Sequence, residues 1–296
     1  MSIPGEKINV YSVPTRPSRA AGHIGALLVD AGKISQADAE RVMRLQREKG
    51  ARFGDAAVSL GLVTSADIDE ALARQFEFPY LVPGTSSMSG ELVAAYAPFD
   101  PRVEVFKAVR SQLMLRRFDS EDASKRLAVV SPCRREGRSY LAANLAVAFS
   151  QLGERTLLID ADMRNPRQHL LFSLENRAGL STLLSGRASG DVIEHIVPLL
   201  DLSVLPAGPL PPNPQELLGR PLFRKLLADL EIEYDMIIID TPPGTVHADA
   251  QTVAACAGSA LMVVRRDHTP ARLLKAFADE LTGLGTFLAG AVINET

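Results

Sequence analysis

Two apolar runs that end in aspartates constrain the fold of this chain more than any other feature. Residues 154–162 read ERTLLIDAD and end in Asp160 and Asp162, and residues 233–243 read EYDMIIIDTPP and contain Asp240. A short, continuous apolar run is typical of a strand that is buried on both faces of a parallel sheet. The proline pair after Asp240 cannot continue a hydrogen-bonded ladder, so we expect the strand to end there.

A third apolar run lies upstream and leads into a tight turn. Residues 126–153 read RLAVVSPCRREGRSYLAANLAVAFSQLG, which predicts a strand, a turn around Gly137 and a helix that stops at Gly153. In an open parallel sheet, ligands collect at the carboxyl ends of the strands. We therefore expect Ser139 and the three aspartates to converge on one crevice, and such an oxygen-rich set suits Mg²⁺.

The turn matches the phosphate-binding pattern G-x-x-x-x-G-K-[S/T] only in part. That pattern requires glycine at position 132 and lysine at 138, whereas this chain has Pro132 and Arg138. Taken alone, such a loop is a chance match, and an aspartate after a strand often caps the next helix. The ordered set of turn and acidic strand ends, at ordinary α/β spacing, nevertheless indicates nucleotide binding.

The chain resembles the bacterial tyrosine kinases of polysaccharide export, a branch of the MinD-like P-loop ATPases. Within that branch it is most similar to the exopolysaccharide chain-length-determinant kinases. The resemblance covers about residues 100 to 296. It is carried by residues 137–172, 205–218, 237–243, 249–251 and 290–295. It implies an α/β fold with a mostly parallel P-loop sheet flanked by helices. The repeat in the N-terminal part, described below, predicts a small all-helical domain with two repeats before this sheet.

The resemblance also implies roles for individual residues. Residues 131–139 would be the Walker A loop, 157–164 the second acidic motif, and 237–240 the Walker B strand. ATP would be bound by Arg135, Glu136, Gly137, Arg138, Ser139, Tyr140 and Asn294. Mg²⁺ would be held by Ser139, Asp162 and Asp240. The catalytic residues would be Asp160, Asp162 and Arg138, with Asp160 as the base for the attacking tyrosine hydroxyl, although the two aspartates could exchange roles.

Two arginines depart from the family pattern. Arg138 replaces the usual lysine, and its guanidinium keeps the positive charge but is larger and planar. Arg135 stands where the family often has glycine, in a turn that favours positive φ. We expect both replacements to affect the rate of turnover more than the binding of nucleotide.

The N-terminal part of the chain contains an internal repeat. Residues 23–46 and 52–75 align without gaps, and each copy predicts a short helix, a glycine stop and a longer helix. Ser35-x-x-Asp38 and Thr64-x-x-Asp67 predict the N-terminal caps of the longer helices. From the residues alone, this is a duplicated helical hairpin that packs on itself or on a partner.

This repeat resembles the MshEN domain of type II secretion and type IV pilus ATPases, which binds cyclic di-GMP through two 24-residue motifs. The first copy departs from that motif, because His23 replaces the leading arginine and Ala39 replaces an apolar anchor. The resemblance implies a cyclic di-GMP site formed by His23, Gly25, Gly32, Gln46, Arg52, Gly54, Gly61 and Gln75.

A predicted amphipathic helix follows at residues 101–118. Glu104, Lys107 and Arg110 are spaced three apart and therefore share one face. Considered alone, they form a solvated ladder of charges. In the family, a Glu-x-x-Arg-x-x-Arg segment joins neighbouring subunits in a ring, so the resemblance implies that these three residues form a homo-oligomer interface, here with lysine in the middle place.

Composition fits an intracellular protein with two folded units. The formal charge of −3 gives no overall attraction to nucleic acid. Cys133 and Cys256 are the only cysteines, so neither a disulfide framework nor a zinc site is predicted. Apolar runs stay well below the ~18 residues of a membrane span, so we expect membrane contact only through a partner. The predicted organisation is a disordered lead (1–20), an MshEN-like domain (21–81), a linker (82–100) and a P-loop domain (101–296).

Two functional hypotheses follow from these resemblances. The first is a cytoplasmic, ATP-dependent protein tyrosine kinase that regulates exopolysaccharide chain length and export with a transmembrane chain-length regulator. The second is a nucleotide-dependent assembly switch, responsive to cyclic di-GMP, that phosphorylates no protein. The intact acidic motifs favour the kinase. The two unusual arginines favour the switch, as does the absence of a tyrosine after Tyr234, because family autokinases carry a C-terminal tyrosine cluster. Tyr11, in the lead, is the alternative acceptor.

Overall fold

The computed structural model describes two compact units that meet in the sequence between Tyr80 and Leu81. The described residues are 23–75, 80–81, 84, 86–115, 125–188, 192–197, 199 and 201–295. The predicted disordered lead and the acceptor Tyr11 lie outside them, as do the end of the predicted helix at 101–118 and parts of the predicted linker. Each unit is described by itself below.

The C-terminal unit is built on a seven-stranded sheet, counted over the described residues. Its strands in chain order are β1 Arg126–Val130, β2 Thr156–Asp160, β3 Glu194–His195, β4 Leu202–Leu205, β5 Met236–Asp240, β6 Ser259–Arg265 and β7 Phe287–Asn294. The spatial order is β3-β4-β2-β5-β1-β6-β7, and every pair is parallel except β3–β4. The predicted mostly parallel sheet is therefore confirmed.

Helices cover both faces of this sheet. In chain order they are α5 Val93–Tyr96, α6 Pro101–Leu113, α7 Arg138–Ser150, α8 Gln168–Leu171, α9 Leu180–Leu184, α10 Pro214–Leu218, α11 Pro221–Leu230, α12 Asp249–Ala257 and α13 Ala271–Gly283. Successive strand residues point to opposite faces. Leu127 and Val129 of β1 accordingly enter the core that contains α7, whereas Ala128 and Val130 enter the core that contains α12. Burial on both faces explains why the strands have no polar alternation.

Helix α7 follows β1 directly and crosses the centre of the sheet. Every residue from Leu141 to Ser150 is buried, and small alanines let the helix approach the strands closely. Its N-terminal cap is Gly137, with φ of 96°, and Gly153 just beyond its end has φ of 92°. Both predicted helix boundaries are confirmed to within a few residues, and the start of α7 is fixed at the end of β1.

The predicted linker at 82–100 is wrong for its second half. Leu92, Val93, Ala94 and Ala95 are buried in the core around α7. Asn144 of α7 accepts a hydrogen bond from the Ala94 amide at 2.9 Å and so fixes this segment. The Pro, Gly and Ser residues around it gave the segment the composition of a linker, but the apolar residues between them belong to the sheet unit.

The described part of the N-terminal unit contains four helices, α1 Ile24–Asp30, α2 Gln36–Lys49, α3 Phe53–Ser59 and α4 Ser65–Gln75. Both predicted caps are confirmed. The Asp38 amide donates to the Ser35 hydroxyl at 3.1 Å, and the Asp67 amide donates to the Thr64 hydroxyl at 3.2 Å. Each repeat therefore begins its longer helix in the same way.

The two copies of the repeat exchange packing partners. The short helix of each copy packs mainly on the long helix of the other, α1 on α4 and α3 on α2. Glycines at equivalent positions of the two copies bring α1 close to α3 and α3 close to α4. A Cβ at Gly25 would lie 3.0 Å from the Phe53 ring, and a Cβ at Gly54 would lie 3.0 Å from Ile68. Across the described part of the chain, no helix combines the length and apolar character needed to cross a membrane.

Candidate active site

The sheet topology brings the predicted acidic residues together. Asp160 ends β2 and Asp240 ends β5, and the two are directly paired in the register of these neighbouring parallel strands. Strand β1 lies on the other side of β5 and leads into the loop that carries Ser139 in the first turn of α7. The predicted crevice is thus formed by the carboxyl ends of three adjacent strands.

Asp160 organises the loop that follows β2. Its Oδ1 accepts a hydrogen bond from the Asp162 amide at 3.1 Å, and its Oδ2 accepts from the amides of Arg167 and Gln168 at 2.9 Å each. The side chain is fully buried. Burial raises the pKa of Asp160 well above its usual range, and the nearby carboxylate of Asp240 raises it further. Both oxygens are occupied by the chain's own backbone.

Asp162 lies closer to the surface of the crevice. Its Oδ1 accepts the amide of Asn165 at 2.9 Å, and the residue keeps 6% of its surface exposed. Burial raises the pKa of Asp162, whereas the charge of Arg138 lowers it. Asp162 therefore combines partial accessibility with an enhanced affinity for a proton.

Asp240 has one satisfied and one unsatisfied oxygen. Its Oδ2 accepts a hydrogen bond from Nε2 of Gln168 at 2.8 Å, whereas its buried Oδ1 makes no hydrogen bond to any residue that the structure describes. Burial raises the pKa of Asp240 to about 6, although Gln168 and the nearby Ser139 hydroxyl oppose the rise. A buried carboxylate oxygen without a donor is costly unless a cation balances it.

This donor set fits magnesium carried by a nucleotide. Mg²⁺ prefers oxygen ligands and usually takes only one or two carboxylates from the protein, with phosphate oxygens and water completing its shell. Ser139, Asp162 and Asp240 supply only oxygen. No cluster of three or more His, Cys, Asp and Glu side chains in the described ranges could hold a metal by itself. The unsatisfied Oδ1 of Asp240 is the clearest sign of a cation position.

Gln168 is a site residue that sequence reasoning missed. It is fully buried at the start of α8, and its Nε2 donates both to Asp240 and to the backbone oxygen of Ser139, the latter at 3.1 Å. It therefore links the end of β5 to the first turn of α7. The residue lies in a polar segment after the acidic motif, and nothing in the sequence pattern distinguishes it from its neighbours.

The phosphate-loop backbone has the predicted left-handed geometry. Arg135 adopts φ of 61° and Gly137 φ of 96°. A Cβ at Gly137 would lie 2.6 Å from Nδ2 of Asn294, so only glycine fits there. Alternation of right- and left-handed residues forms a concave array of amides that binds anions, here at the N-terminus of α7.

Arg138 is turned into the protein. Its guanidinium is almost fully buried, with Nε donating to the Thr241 oxygen at 2.8 Å and Nη1 donating to the Cys133 oxygen at 2.6 Å and to the Ser131 hydroxyl. Burial lowers the pKa of Arg138, and the surrounding acids oppose this effect. The side chain thus ties the phosphate loop to the end of β5.

Three other residues predicted to bind ATP have different side-chain contacts. The Glu136 carboxylate accepts the Cys133 amide at 2.7 Å and belongs to the framework of the loop. Asn294 at the end of β7 donates to the Glu136 backbone oxygen at 3.2 Å. The ring of Tyr140 lies edge-on against Phe106 of α6, with centroids 5.8 Å apart. The Tyr140 ring therefore packs on α6, and a nucleotide contact of this residue through its backbone stays a prediction.

An ion pair between Arg164 and Asp249 holds the segment that follows β2. Nε of Arg164 lies 2.7 Å from Oδ2 of Asp249, which begins α12 and is almost fully buried. The negative charge at the N-terminus of a helix is also favoured by the helix dipole. This contact connects the segment after β2 to the segment after β5.

The three predicted interface residues lie in different environments on α6. Glu104 is 64% exposed and pairs with Lys107 at 2.8 Å. Lys107 also donates to the Pro98 oxygen at 2.9 Å, and Arg110 donates to the Ala148 oxygen at the end of α7 at 2.5 Å. Lys107 and Arg110 therefore make contacts within the chain, and Glu104 is the member most accessible to a neighbouring subunit.

The predicted cyclic di-GMP residues occupy equivalent places in the two copies. His23 and Arg52 precede α1 and α3, and both are exposed. Gly32 and Gly61 are left-handed, with φ of 68° and 66°. The remaining four are Gly25, Gly54, Gln46 and Gln75, and each is partly buried.

Comparison with known proteins places the sheet unit in a family. The family model described as cellulose biosynthesis protein BcsQ matches residues 129–282. The putative tyrosine-protein kinase CapB of Staphylococcus aureus is 37% identical over 193 residues, which are 65% of this chain and 83% of CapB. The kinase domain of the Escherichia coli tyrosine kinase ETK is 31% identical with a TM-score of 0.65, and the match covers 69% of this chain and 80% of that domain.

A more distant structure shows the fold alone. The septum site-determining protein MinD of Pyrococcus horikoshii, complexed with Mg-ADP, is 22% identical with a TM-score of 0.51, and the match covers 57% of this chain and 69% of MinD. The chain belongs to the bacterial tyrosine kinase family, whose nucleotide-binding unit has a MinD-like P-loop fold. The repeat unit lies outside the residues that the family model matches.

The contact between Gln168 and Asp240 predicts a measurable cost. Replacing Gln168 with Leu removes the donor and leaves two oxygens of a buried carboxylate unsatisfied, so we expect the free energy of unfolding to fall by about 1–3 kcal/mol. Urea denaturation measures this change. Gln215→Leu makes the same chemical change at an exposed position of α10 and serves as the control. Equal stability of the two variants would contradict the role assigned to Gln168.

Proposed function

We propose that this chain is an ATP-dependent protein tyrosine kinase that acts in exopolysaccharide production. The observation that carries the proposal is the buried, unsatisfied Oδ1 of Asp240, which lies beside Asp160 at the N-terminus of α7. A cation at this position, next to an anion-binding loop, is the arrangement that phosphoryl transfer requires. Membership of the tyrosine kinase family supports the same chemistry.

Nucleotide binding is assigned to the backbone and magnesium binding to side-chain oxygens. The loop amides up to the start of α7 would hold the phosphates, because a helix N-terminus offers unpaired donors and partial positive charge. Ser139 and Asp240 would hold Mg²⁺, which neutralises charge on the phosphates when bound. Arg138 would act mainly by fixing the loop, since its hydrogen bonds go to protein oxygens.

We assign the general base to Asp162 and not to Asp160. Both oxygens of Asp160 accept backbone amides, so this residue shapes the loop and is poorly placed to receive a proton from a substrate. Asp162 is more accessible, and burial raises its pKa, which increases its affinity for a proton. The sequence left open which aspartate is the base. The contacts agree better with Asp162 as the base than with Asp160.

The assignment predicts separate phenotypes for the two aspartates. We expect Asp162→Asn to lower phosphotyrosine formation by about 100-fold or more, because a positioned base contributes about 10²–10⁴-fold. The Asp162→Asn variant should remain folded. Asp160→Asn should lower the melting temperature, since a neutral amide replaces the acceptor of three loop amides. Purified protein is incubated with ATP and Mg²⁺ and probed with an anti-phosphotyrosine antibody.

The same assay tests the alternative that the chain is a nucleotide-dependent assembly switch. The unusual environment of Arg138 at the lysine position favours this alternative. Steady ATP hydrolysis without any phosphotyrosine in the wild type would support the switch and contradict the kinase. Phosphotyrosine that persists unchanged in Asp162→Asn would contradict the assigned base.

We further propose that the repeat unit is an MshEN-like domain that binds cyclic di-GMP. The equivalent placement of His23 and Arg52, together with the paired left-handed glycines, supports two matching half-sites. The first half-site would bind its guanine less strongly, because histidine has a shorter reach and less charge than arginine.

The half-site proposal makes opposite predictions for two substitutions. We expect His23→Arg to tighten cyclic di-GMP binding, since an arginine can make a bidentate contact, and Arg52→Ala to weaken it by about tenfold, equivalent to about 1.4 kcal/mol. Isothermal titration calorimetry measures both. Lys49→Ala, which removes a nearby exposed cation, should leave the affinity unchanged. If the wild type gives no heat and no shift in melting temperature, the proposed cyclic di-GMP site is wrong.

For the assembly, we propose a homo-oligomer that docks on a transmembrane chain-length regulator and is therefore cytoplasmic and peripheral to the membrane. Glu104 on the exposed face of α6 would contact the neighbouring subunit. We expect Glu104→Lys to shift the protein toward monomer in sedimentation velocity, because it reverses an interfacial charge. Glu175→Lys reverses another highly exposed charge and should have no effect. An unchanged sedimentation profile for Glu104→Lys would place the interface elsewhere.

A further inference from the structure

Side chains from the β6–β7 edge of the sheet form hydrogen bonds with the backbone of the phosphate loop. Three consecutive carbonyl oxygens of the loop face these side chains and accept hydrogen bonds from them. The pairs are His268 Nε2 to Arg134 O at 3.1 Å, Arg265 Nη1 to Arg135 O at 3.3 Å and Asn294 Nδ2 to Glu136 O at 3.2 Å. Arg265 is the last residue of β6, His268 lies in the connection between β6 and α13, and Asn294 ends β7.

The buried carboxylate of Glu136 closes this arrangement. Its Oε2 accepts the Cys133 amide at 2.7 Å, and its Oε1 accepts the Thr269 hydroxyl. The same hydroxyl oxygen of Thr269 accepts the Arg265 amide at 3.0 Å. Glu136 has no exposed surface, so these donors replace water as the hydrogen-bond partners of its carboxylate. The connection between β6 and α13 is thereby joined to the interior of the phosphate loop. We name Arg265, His268, Thr269 and Asn294 the loop clasp.

The loop clasp determines which way the loop amides point. In a trans peptide the C=O and the following N–H point in opposite directions. Carbonyls of residues 134, 135 and 136 that face the clasp therefore direct the amides of residues 135, 136 and 137 away from it. These amides belong to the concave array at the start of α7. The left-handed, non-glycine Arg135 is a strained residue that such outside contacts can hold in place.

We infer that Thr269 and His268 are positioning residues that orient the amides of the phosphate loop toward the β-phosphate of a nucleoside diphosphate or triphosphate. The inference rests on the proposed nucleotide site and extends it to residues outside the Walker motifs. Neither residue needs to touch the ligand. Thr269 acts through the Glu136 carboxylate, and His268 acts through the Arg134 carbonyl.

The main test removes the Thr269 hydroxyl without changing the size of the side chain. We expect Thr269→Val to weaken binding of Mg²⁺-ADP by about tenfold, equivalent to about 1.4 kcal/mol, as measured by isothermal titration calorimetry. Thr269→Ser keeps the hydroxyl and should bind within about twofold of the wild type. Melting temperatures without nucleotide are measured in parallel, because a merely structural role would lower them and leave the affinity of the folded protein unchanged.

A second pair of variants avoids the buried network. His268 is exposed, so His268→Ala should fold normally, and we expect it to weaken Mg²⁺-ADP binding by about threefold through the loss of one hydrogen bond. Arg266→Ala changes an exposed neighbour that pairs with Glu295 and should not alter the affinity. This pair keeps the inference testable if Thr269→Val does not fold.

The outcomes separate this inference from the proposed function. If the wild type does not bind Mg²⁺-ADP, the nucleotide site itself is wrong. If the wild type binds while Thr269→Val and His268→Ala bind equally tightly, the loop clasp has no positioning role and the nucleotide site stands. Equal weakening by Thr269→Val and Thr269→Ser would also overturn the role of the hydroxyl.

Discussion

Two fully buried carboxylates lie side by side at the edge of the sheet, and the surrounding structure is arranged to tolerate them. Asp160 and Asp240 are partners in the register of β2 and β5. Two neighbouring buried negative charges repel each other and lose their hydration, which is energetically costly unless hydrogen-bond donors or cations compensate. The compensation comes from backbone amides for Asp160 and from Gln168 for one oxygen of Asp240. The remaining oxygen is where a divalent ion would be most stabilised.

The phosphate loop also depends on compensating contacts, because it contains two arginines that depart from the usual pattern. Arginine at position 138 bonds to the oxygens of Cys133 and Thr241, and arginine at position 135 takes a left-handed conformation that glycine adopts more easily. Both arginines make hydrogen bonds with residues outside the loop, Arg138 with Thr241 and Arg135 with Arg265. The loop is therefore held from the β5 side by Arg138 and from the β6–β7 side by the loop clasp. Its amides face the space between these two supports.

Local patterns in the sequence were sufficient for the main elements of the fold. The apolar runs predicted β1, β2 and β5 because strands buried on both faces need apolar residues at every position. The capping pairs at Ser35 and Thr64 were predicted because a cap involves residues only three apart. The repeat was visible as matching glycines, which the structure explains by the close approach of helices at Gly25 and Gly54.

Contacts between distant residues could not be predicted in the same way. Gln168 meets Asp240 across 72 positions of sequence, and Thr269 meets Glu136 across 133. No local pattern encodes such a partner. The segment at 92–95 was assigned to a linker because its flanks contain Pro, Gly and Ser, and only the contact with Asn144 reveals its burial. The sequence left open which aspartate is the base, because it does not show that backbone amides occupy both oxygens of Asp160.

The exchange of packing partners in the repeat unit means that each copy depends on the other for its hydrophobic core. Because α1 packs on α4 and α3 packs on α2, neither copy has a complete hydrophobic core of its own. A single copy could bury its core residues only by pairing with another molecule of the same kind. The two copies in one polypeptide therefore pack against each other as the two subunits of a dimer would.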